Sequence, residues 1–177
     1  EFEPIAEAAK RVVAEIQAEA DADFVICLSH SGTDEKGKGE DYALAKAVPG
    51  IDVIISGHTH STTQTPIQTG GAQIVSCGEY AQNLGALTIR RGGEGEAVTV
   101  EDYRLIPVDE TVPDDPAMAA LAGTFQKRVE ETYLADYGLG FEEVLARTPF
   151  DFTPIRQFGQ TQGEDALGNL IADAYIH

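Results

Sequence analysis

The sequence predicts an α/β fold: a mixed sheet with flanking helices, then a separate helix, then the start of a second α/β unit. Three observations carry this reading. The runs Phe24-Val25-Ile26-Cys27-Leu28 and Ile51-Asp52-Val53-Ile54-Ile55 are apolar enough to be covered parallel strands. Between them lies a short helical segment ended by Pro49-Gly50, so the order strand, helix, strand favours a parallel pair with a right-handed crossover. Farther on, two runs meet across Gly92-Gly93-Glu94-Gly95 as a hairpin.

Taken in order, residues 4 to 20 form an amphipathic helix, with Pro4 in its first turn and Ile5, Ala9, Val12, Val13 and Ile16 along one face. Asp21-Ala22-Asp23 leads into the first strand, which ends at His30. Residues 31 to 40 are a glycine- and charge-rich loop, and residues 41 to 48 a helix. The second strand runs from Ile51 to Ser56, and residues 61 to 71 form a loop. Residues 73 to 77, 85 to 91 and 96 to 105 are strands. Prolines 107, 113 and 116 mark a boundary, after which Met118, Leu121, Ala122, Phe125 and Val129 form a helical stripe. Residues 141 to 152 are predicted as a strand and 153 to 163 as a loop. A final helix opens on the capping box Thr161-Gln162-Gly163-Glu164, with Leu167, Leu170, Ile171 and Ala174 on its apolar face.

A length of 177 residues would ordinarily mean one domain. With 42% hydrophobic and 24% charged residues the chain is globular rather than disordered. Lys and Arg total 12 against 30 Asp and Glu, a net charge of -18. Such a surface repels nucleic-acid polymers and anionic membranes. It also repels phosphate esters, so binding one requires local cations of the kind a metal ion supplies. No apolar run approaches the ~20 residues of a membrane span, and no signal peptide is visible. Cys27 and Cys77 fall in predicted strands; neither has a second cysteine at zinc-binding spacing, and both read as buried free thiols.

Three of the four histidines lie at the ends of predicted strands. His58 and His60 occupy the turn Gly57-His58-Thr59-His60, and His30 closes the first apolar run. Parallel sheets place ligand sites beyond the carboxyl ends of their strands. On spacing alone, the pair at 58 and 60 is balanced between metal ligation and a polar turn with incidental histidines. Gly57 permits close approach of the backbone to a bound ion. Asp52, at the opposite end of its strand, reads as a turn or capping residue; Asp41 is acidic and near the motifs; Asp173 reads as structural. His177 is terminal and reads as a frayed end. The glycine run 92–95 lacks the Lys-Ser/Thr of a phosphate loop.

Leu28-Ser29-His30-Ser31-Gly32, Leu44-Ala45-Lys46-Ala47-Val48-Pro49-Gly50-Ile51-Asp52 and the Gly-His-Thr-His turn, in that order, resemble the 5'-nucleotidase branch of the calcineurin-like metallophosphoesterases. Gly85-Ala86-Leu87-Thr88-Ile89 resembles a strand of the same domain. Glu164 and Leu167-Gly168-Asn169-Leu170-Ile171-Ala172-Asp173-Ala174 resemble the opening helix of the family's C-terminal domain. The resemblance covers most of residues 5 to 107 and resumes near 143. The family's Asp-x-His, Gly-Asp-x-x-Asp and Gly-Asn-His-Glu/Asp motifs, which precede the equivalent of His30, are not in this sequence. The expectation is therefore an internal piece of a larger enzyme, consistent with a first residue, Glu1, that is not an initiator methionine.

On this resemblance, residues 1–107 are the C-terminal half of a metallophosphoesterase sandwich, 108–140 an interdomain linker with a helix, and 141–177 the beginning of the 5'-nucleotidase C-terminal domain. The implied reaction is hydrolysis of a nucleoside 5'-monophosphate by water activated between two divalent ions, manganese, zinc or similar. His30 and His58 would hold one ion and His60 the other; catalytic residues are expected upstream, and no substrate-binding residue is assigned. The chain alone is expected to be inactive and to bind at most one ion weakly. Implied partners are a small nucleotide or phosphate ester, and the missing N-terminal half or a second copy that covers exposed strands. The implied location is periplasmic, cell-surface or secreted. Alternatives are a relative acting on nucleotide sugars, cyclic nucleotides or sulfur-linked substrates, and a non-catalytic metal-binding scaffold. Family members carry an arginine shortly before the Glu-x-x-Leu-Gly-Asn stretch, whereas the nearest here is Arg156.

Overall fold

The first helix, α1 (Ile5–Glu19), follows Pro4, whose carbonyl accepts from the Glu7 and Ala8 amides and so starts the first turn. The computed structural model describes residues 2–19, 22–34, 36–93, 96–154, 157 and 163–176. Asp21, Gly95, Arg156, His177 and the Thr161-Gln162 half of the predicted capping box lie outside the described residues. The chain divides into two units, Glu1–Pro113 and Asp114–His177.

In the first unit, β1 (Ile26–Ser29), β2 (Val53–Ser56), β3 (Ile67–Thr69) and β4 (Ala72–Val75) form one sheet in the order β1-β2-β4-β3. β1 and β4 both run parallel to β2, and β3 pairs antiparallel with β4, so the sheet is mixed as expected. β3 falls inside the segment predicted as loop. It is three residues long, turned back on β4 through Gly70 and Gly71, both at positive φ, and such a strand has too few positions to show a period-2 pattern. A second sheet pairs β5 (Asn83–Arg90) with β6 (Thr99–Pro107), antiparallel and with an irregularity between Thr88 and Ile89. β6 starts three residues later than predicted. Glu96 is instead taken up at the hairpin tip, where its carboxylate accepts from the Gly93 amide.

The core lies on one face of the four-stranded sheet. Val13 of α1, Leu44, Ala45 and Val48 from the α2 segment (α2, Glu40–Ala47), and Ile51, Ile54, Ala72 and Ile74 form one buried cluster. The aliphatic stripe of α1 thus behaves as the sequence implies only in part. Val13 is buried, whereas Ile5 and Val12 stay exposed. Likewise β1 is an edge strand with Ile26 53% and Leu28 79% exposed, and Ile55 of β2 is also exposed. The expectation that these strands are covered on both faces is not met within this chain. An apolar groove of about 380 Å³ runs between α1 and β1, lined by Ile5, Val12, Ile26 and Leu28 among others.

At the amino ends of the strands, Asp52 accepts a hydrogen bond from the Val25 amide at 2.8 Å and pairs with Arg91 at 2.6 Å. That is the structural role read from its position. Both cysteines are free and half-buried.

In the second unit, α3 (Pro116–Thr132) has Asp115 at its N-cap, accepting from the Ala117 and Met118 amides, with Pro116 in the first turn. A 3-10 turn, Leu134–Tyr137, ends at Gly138 in the left-handed region. Residues 141 to 152, predicted as a strand, are irregular. A strand needs a neighbour to take up its amides and carbonyls, and no strand is present among the described residues of this unit. Phe141, Val144, Leu145 and Phe150, which mimic a strand pattern, are exposed. The last helix, α4 (Ala166–Ile176), starts later than the predicted capping box. Asp165 caps it, accepting from the Leu167 and Gly168 amides.

Candidate functional site

Parallel register pairs Ser29 of β1 with Ser56 of β2. The residues that follow, His30 and the turn 57–60, therefore leave the same edge of the sheet side by side. The Gly57 amide donates to the Ser29 carbonyl at 2.9 Å and extends the strand pairing by one step. At Gly57 a Cβ would sit 3.1 Å from His30 Nδ1. Glycine here makes room for the His30 ring, a more specific role than the approach to an ion inferred from sequence.

Beyond Gly57 the backbone turns sharply. The Thr59 amide bonds the Gly57 carbonyl at 3.0 Å, and His58 between them has φ of 77°. This is a γ-turn of the rare positive-φ kind, and His60 follows at φ 57°. Two left-handed non-glycine residues in one short turn are local strain, which proteins retain mainly where geometry serves function. The result places the His30 and His58 rings 5.1 Å apart between centroids, edge to face, both exposed.

The third histidine is turned elsewhere. His60 Nδ1 lies 2.7 Å from Glu79 Oε2, and its ring packs against Tyr80 at 5.6 Å. His30 and His58 are thus brought together, and His60 joins a separate cluster. Among the described residues no group of three or more His, Cys, Asp or Glu side chains is arranged to hold one ion.

Asp41 organises the edge from beneath. It is fully buried, at the first turn of α2, and faces three donors. Ser29 Oγ and Ser56 Oγ each donate to it at 2.5 Å, and the Gly32 amide at 3.1 Å. One carboxylate therefore ties together the last residues of β1 and β2 and the loop between β1 and α2. A buried carboxylate is tolerated only where such donors replace water. Thr59 Oγ1 adds a bond to the Thr33 carbonyl at 2.5 Å, fastening the histidine turn to the same loop. Cys27, two residues before Ser29 in β1, has its thiol pushed up by burial and secondarily by the Asp41 charge, which favours the protonated form.

Sequence reasoning placed Asp41 near the motifs without a role, and it missed Glu79 and Tyr80. One signal was present for Asp41: both apolar runs end in serine, and the acids Glu40 and Asp41 open the helix between them. Nothing local marks Glu79, because its partner lies nineteen residues away, about a sheet-width of folding earlier in the chain.

No established family profile matches the chain. Individual proteins do. The chain is 27% identical, over 99% of its length, to the trifunctional nucleotide phosphoesterase protein YfkN of Bacillus subtilis, of which it covers 11%. It is 25% identical, over 86% of its length, to the snake venom 5'-nucleotidase of Macrovipera lebetinus, of which it covers 38%. A solved structure of calcineurin-like phosphoesterase YfkN superposes on 74% of the chain at a TM-score of 0.55 and 23% identity, and 45% of that structure is matched. The chain is similar in sequence to proteins named nucleotide phosphoesterase and 5'-nucleotidase. A further solved relative, the sulfate thiohydrolase SoxB of Thermus thermophilus, superposes on 73% of this chain at a TM-score of 0.58 and 26% identity, over 23% of its own length. The chain thus spans about a tenth of the length of YfkN and well under half of the venom enzyme.

The family implies divalent metal ions, and the residues present fit them in part. Two exposed imidazoles at one sheet edge are nitrogen donors suited to zinc, manganese or related ions. Among the described residues no bridging carboxylate stands beside them: the oxygens of Asp41 are taken up by Ser29, Ser56 and Gly32, and Glu79 faces His60.

Proposed function

We propose that this chain forms one side of the metal centre of a phosphoester hydrolase that acts on nucleoside 5'-monophosphates. The observation that carries the reading is the pairing of His30 with His58, side by side at the carboxyl ends of parallel neighbours. In this reading residues 1–107 are the second half of the catalytic domain, 108–140 an interdomain linker, and 141–177 the start of a C-terminal domain. His30 and His58 would hold one divalent ion and His60 a second. Such ions supply Lewis-acid stabilisation of the charge on the transferred phosphoryl group. They also supply the local positive charge that a chain of net charge -18 otherwise denies a phosphate ester.

The chain's own contribution is positional. Neutral imidazoles offer lone pairs at fixed places, Asp41 holds the strand ends and loop that carry them, and Gly57 admits the His30 ring. The carboxylates that would bridge two ions are proposed to come from sequence preceding this chain. The venom relative supports a location outside the cytoplasm. Among the described residues no helix is long and apolar enough to cross a membrane.

A sulfur-linked substrate is the second reading, favoured by the likeness to SoxB at 26% identity. Both readings are tested by titrating the purified chain with Zn²⁺ or Mn²⁺ in a calorimeter and assaying AMP and a thiosulfonate ester. The expected result is weak binding at the His30–His58 pair, weakened at least about tenfold in His58→Ala, with no turnover of either substrate. Zn²⁺ affinity unchanged by both His30→Ala and His58→Ala would overturn the metal reading. Manganese-dependent hydrolysis of AMP by the chain alone, abolished in His58→Ala, would overturn the claim that it supplies only one side of the centre.

A further inference from the structure

Glu79 lies in a turn with unusual backbone. Tyr80 and Ala81, the two residues after it, have φ of 52° and 56°, and the Gln82 amide donates to the Glu79 carbonyl at 3.0 Å. These are the φ signs and the hydrogen bond of a primed β-turn, a form that normally recruits asparagine and glycine. Tyrosine and alanine here carry left-handed strain. The turn puts two successive side chains against one imidazole: the Glu79 carboxylate on Nδ1 of His60, and the Tyr80 ring beside it, tilted at 56°.

An ionised carboxylate has no proton to give, so at 2.7 Å the proton in the His60–Glu79 bond belongs to Nδ1. Nε2 of a neutral His60 is then the ring nitrogen with a free lone pair. Histidines that ligate metals are commonly oriented this way, by a carboxylate or carbonyl on the other ring nitrogen, and the partner also raises the basicity of the ligating nitrogen. An imidazole without such a partner chooses its tautomer in water. We infer that Glu79 is a positioning residue that locks His60 into the Nδ1-protonated tautomer and presents Nε2 for a divalent cation.

The inference rests on the hydrolase reading for what His60 binds, but its core is a statement about one ring in the free chain. The rival explanation is an ordinary surface ion pair, weak and indifferent to tautomer. His60 is 53% exposed and Glu79 23%, so the carboxylate is the more enclosed partner.

The test is long-range ¹H–¹⁵N spectroscopy of the chain labelled at histidine, in mildly alkaline buffer where imidazoles are neutral. His60→Gln assigns its resonances. The expected spectrum has His60 in the Nδ1-protonated form, shifting in Glu79→Ala toward the tautomer mixture of a free imidazole. Circular dichroism should match the parent, and Tyr80→Ala, which leaves the carboxylate, should retain the tautomer. On adding Zn²⁺, the His60 Nε2 resonance should move in the parent chain, with affinity at that ring about 10- to 100-fold lower in Glu79→Ala. A His60 protonated at Nε2 in the parent, or a tautomer unchanged in Glu79→Ala, overturns the inference and leaves the hydrolase reading standing. A locked tautomer with a His60 that does not respond to Zn²⁺ overturns the presentation of Nε2 to a cation, and no response of His30 and His58 overturns the hydrolase reading.

Discussion

His58 shows how much of this site is decided by single backbone angles. At φ 77° it sits where an L-residue is strained and glycine is not. His58→Gly should therefore raise stability by about 1 kcal/mol in urea denaturation, the relieved strain less the added chain entropy of glycine, while removing a metal donor. A loss of stability would mean that the exposed ring makes contacts worth more than the strain. Asp41 is the opposite case. Asp41→Ala leaves Ser29 Oγ, Ser56 Oγ and the Gly32 amide without their buried acceptor, and should cost about 3 kcal/mol. Asp41→Asn keeps one acceptor oxygen and the shape, and should cost about 1 kcal/mol if a serine hydroxyl turns to accept. Equal losses in the two variants would show that the cavity, not the hydrogen bonding, dominates. Cys27 gives a chemical check on the same region. Burial and the Asp41 charge raise its pKa, which keeps the reactive thiolate scarce. Its alkylation by iodoacetamide at neutral pH should be slower than that of a free thiol and should accelerate in Asp41→Asn.

At the scale of elements, the motifs were legible where a pattern is local and long enough. α1, α2, β1, β2 and the β5–β6 hairpin stand within a few residues of their predicted places, because apolar runs bounded by Pro49-Gly50 or by glycines carry their own signal. β3 and the supposed strand at 141–152 fail for related reasons. A three-residue strand is defined by its antiparallel partner β4 rather than by its own residues, and an apolar segment with no partner remains irregular. β1 is the element with the plainest consequence. It offers an unpaired edge with Ile26 and Leu28 exposed beside the groove along α1. Such edges pair with other chains unless charge or cover prevents it. Leu28→Lys should lower self-association in light scattering and lower binding of hydrophobic dye, with the thermal midpoint unchanged. A fall in the midpoint instead would show that Leu28 is packed in solution.

At the scale of the whole chain, the two units differ in kind. The first has a core gathered from α1, α2 and the strands β2 and β4, with Ile54 and Ile74 fully buried. The second has no buried hydrophobic residue among those described: Met118, Leu121, Phe125 and Val129 form the predicted stripe on α3, yet all are exposed. Helices hold together mainly through burial of an apolar face. Hydrogen exchange should therefore find the β2 and β4 amides protected to near the global limit and those of α3 and α4 exchanging orders of magnitude faster. Comparable protection in α3 would mean its stripe is covered in solution.

The sequence by itself determined the α/β class, the parallel pairing of the first two strands, and the placing of His30 and His58 at one sheet edge. Each of these follows from short-range chemistry: apolar runs, turn residues, and the parity of a strand–helix–strand unit. Tertiary structure alone decided which side chains face one another. Ser29, Ser56 and Gly32 meet on Asp41, and Glu79 meets His60, across intervals that no periodicity spans. Hydrogen bonds need partners within about 3 Å. Chain separation says nothing about such distances until the sheet has brought its strand ends together.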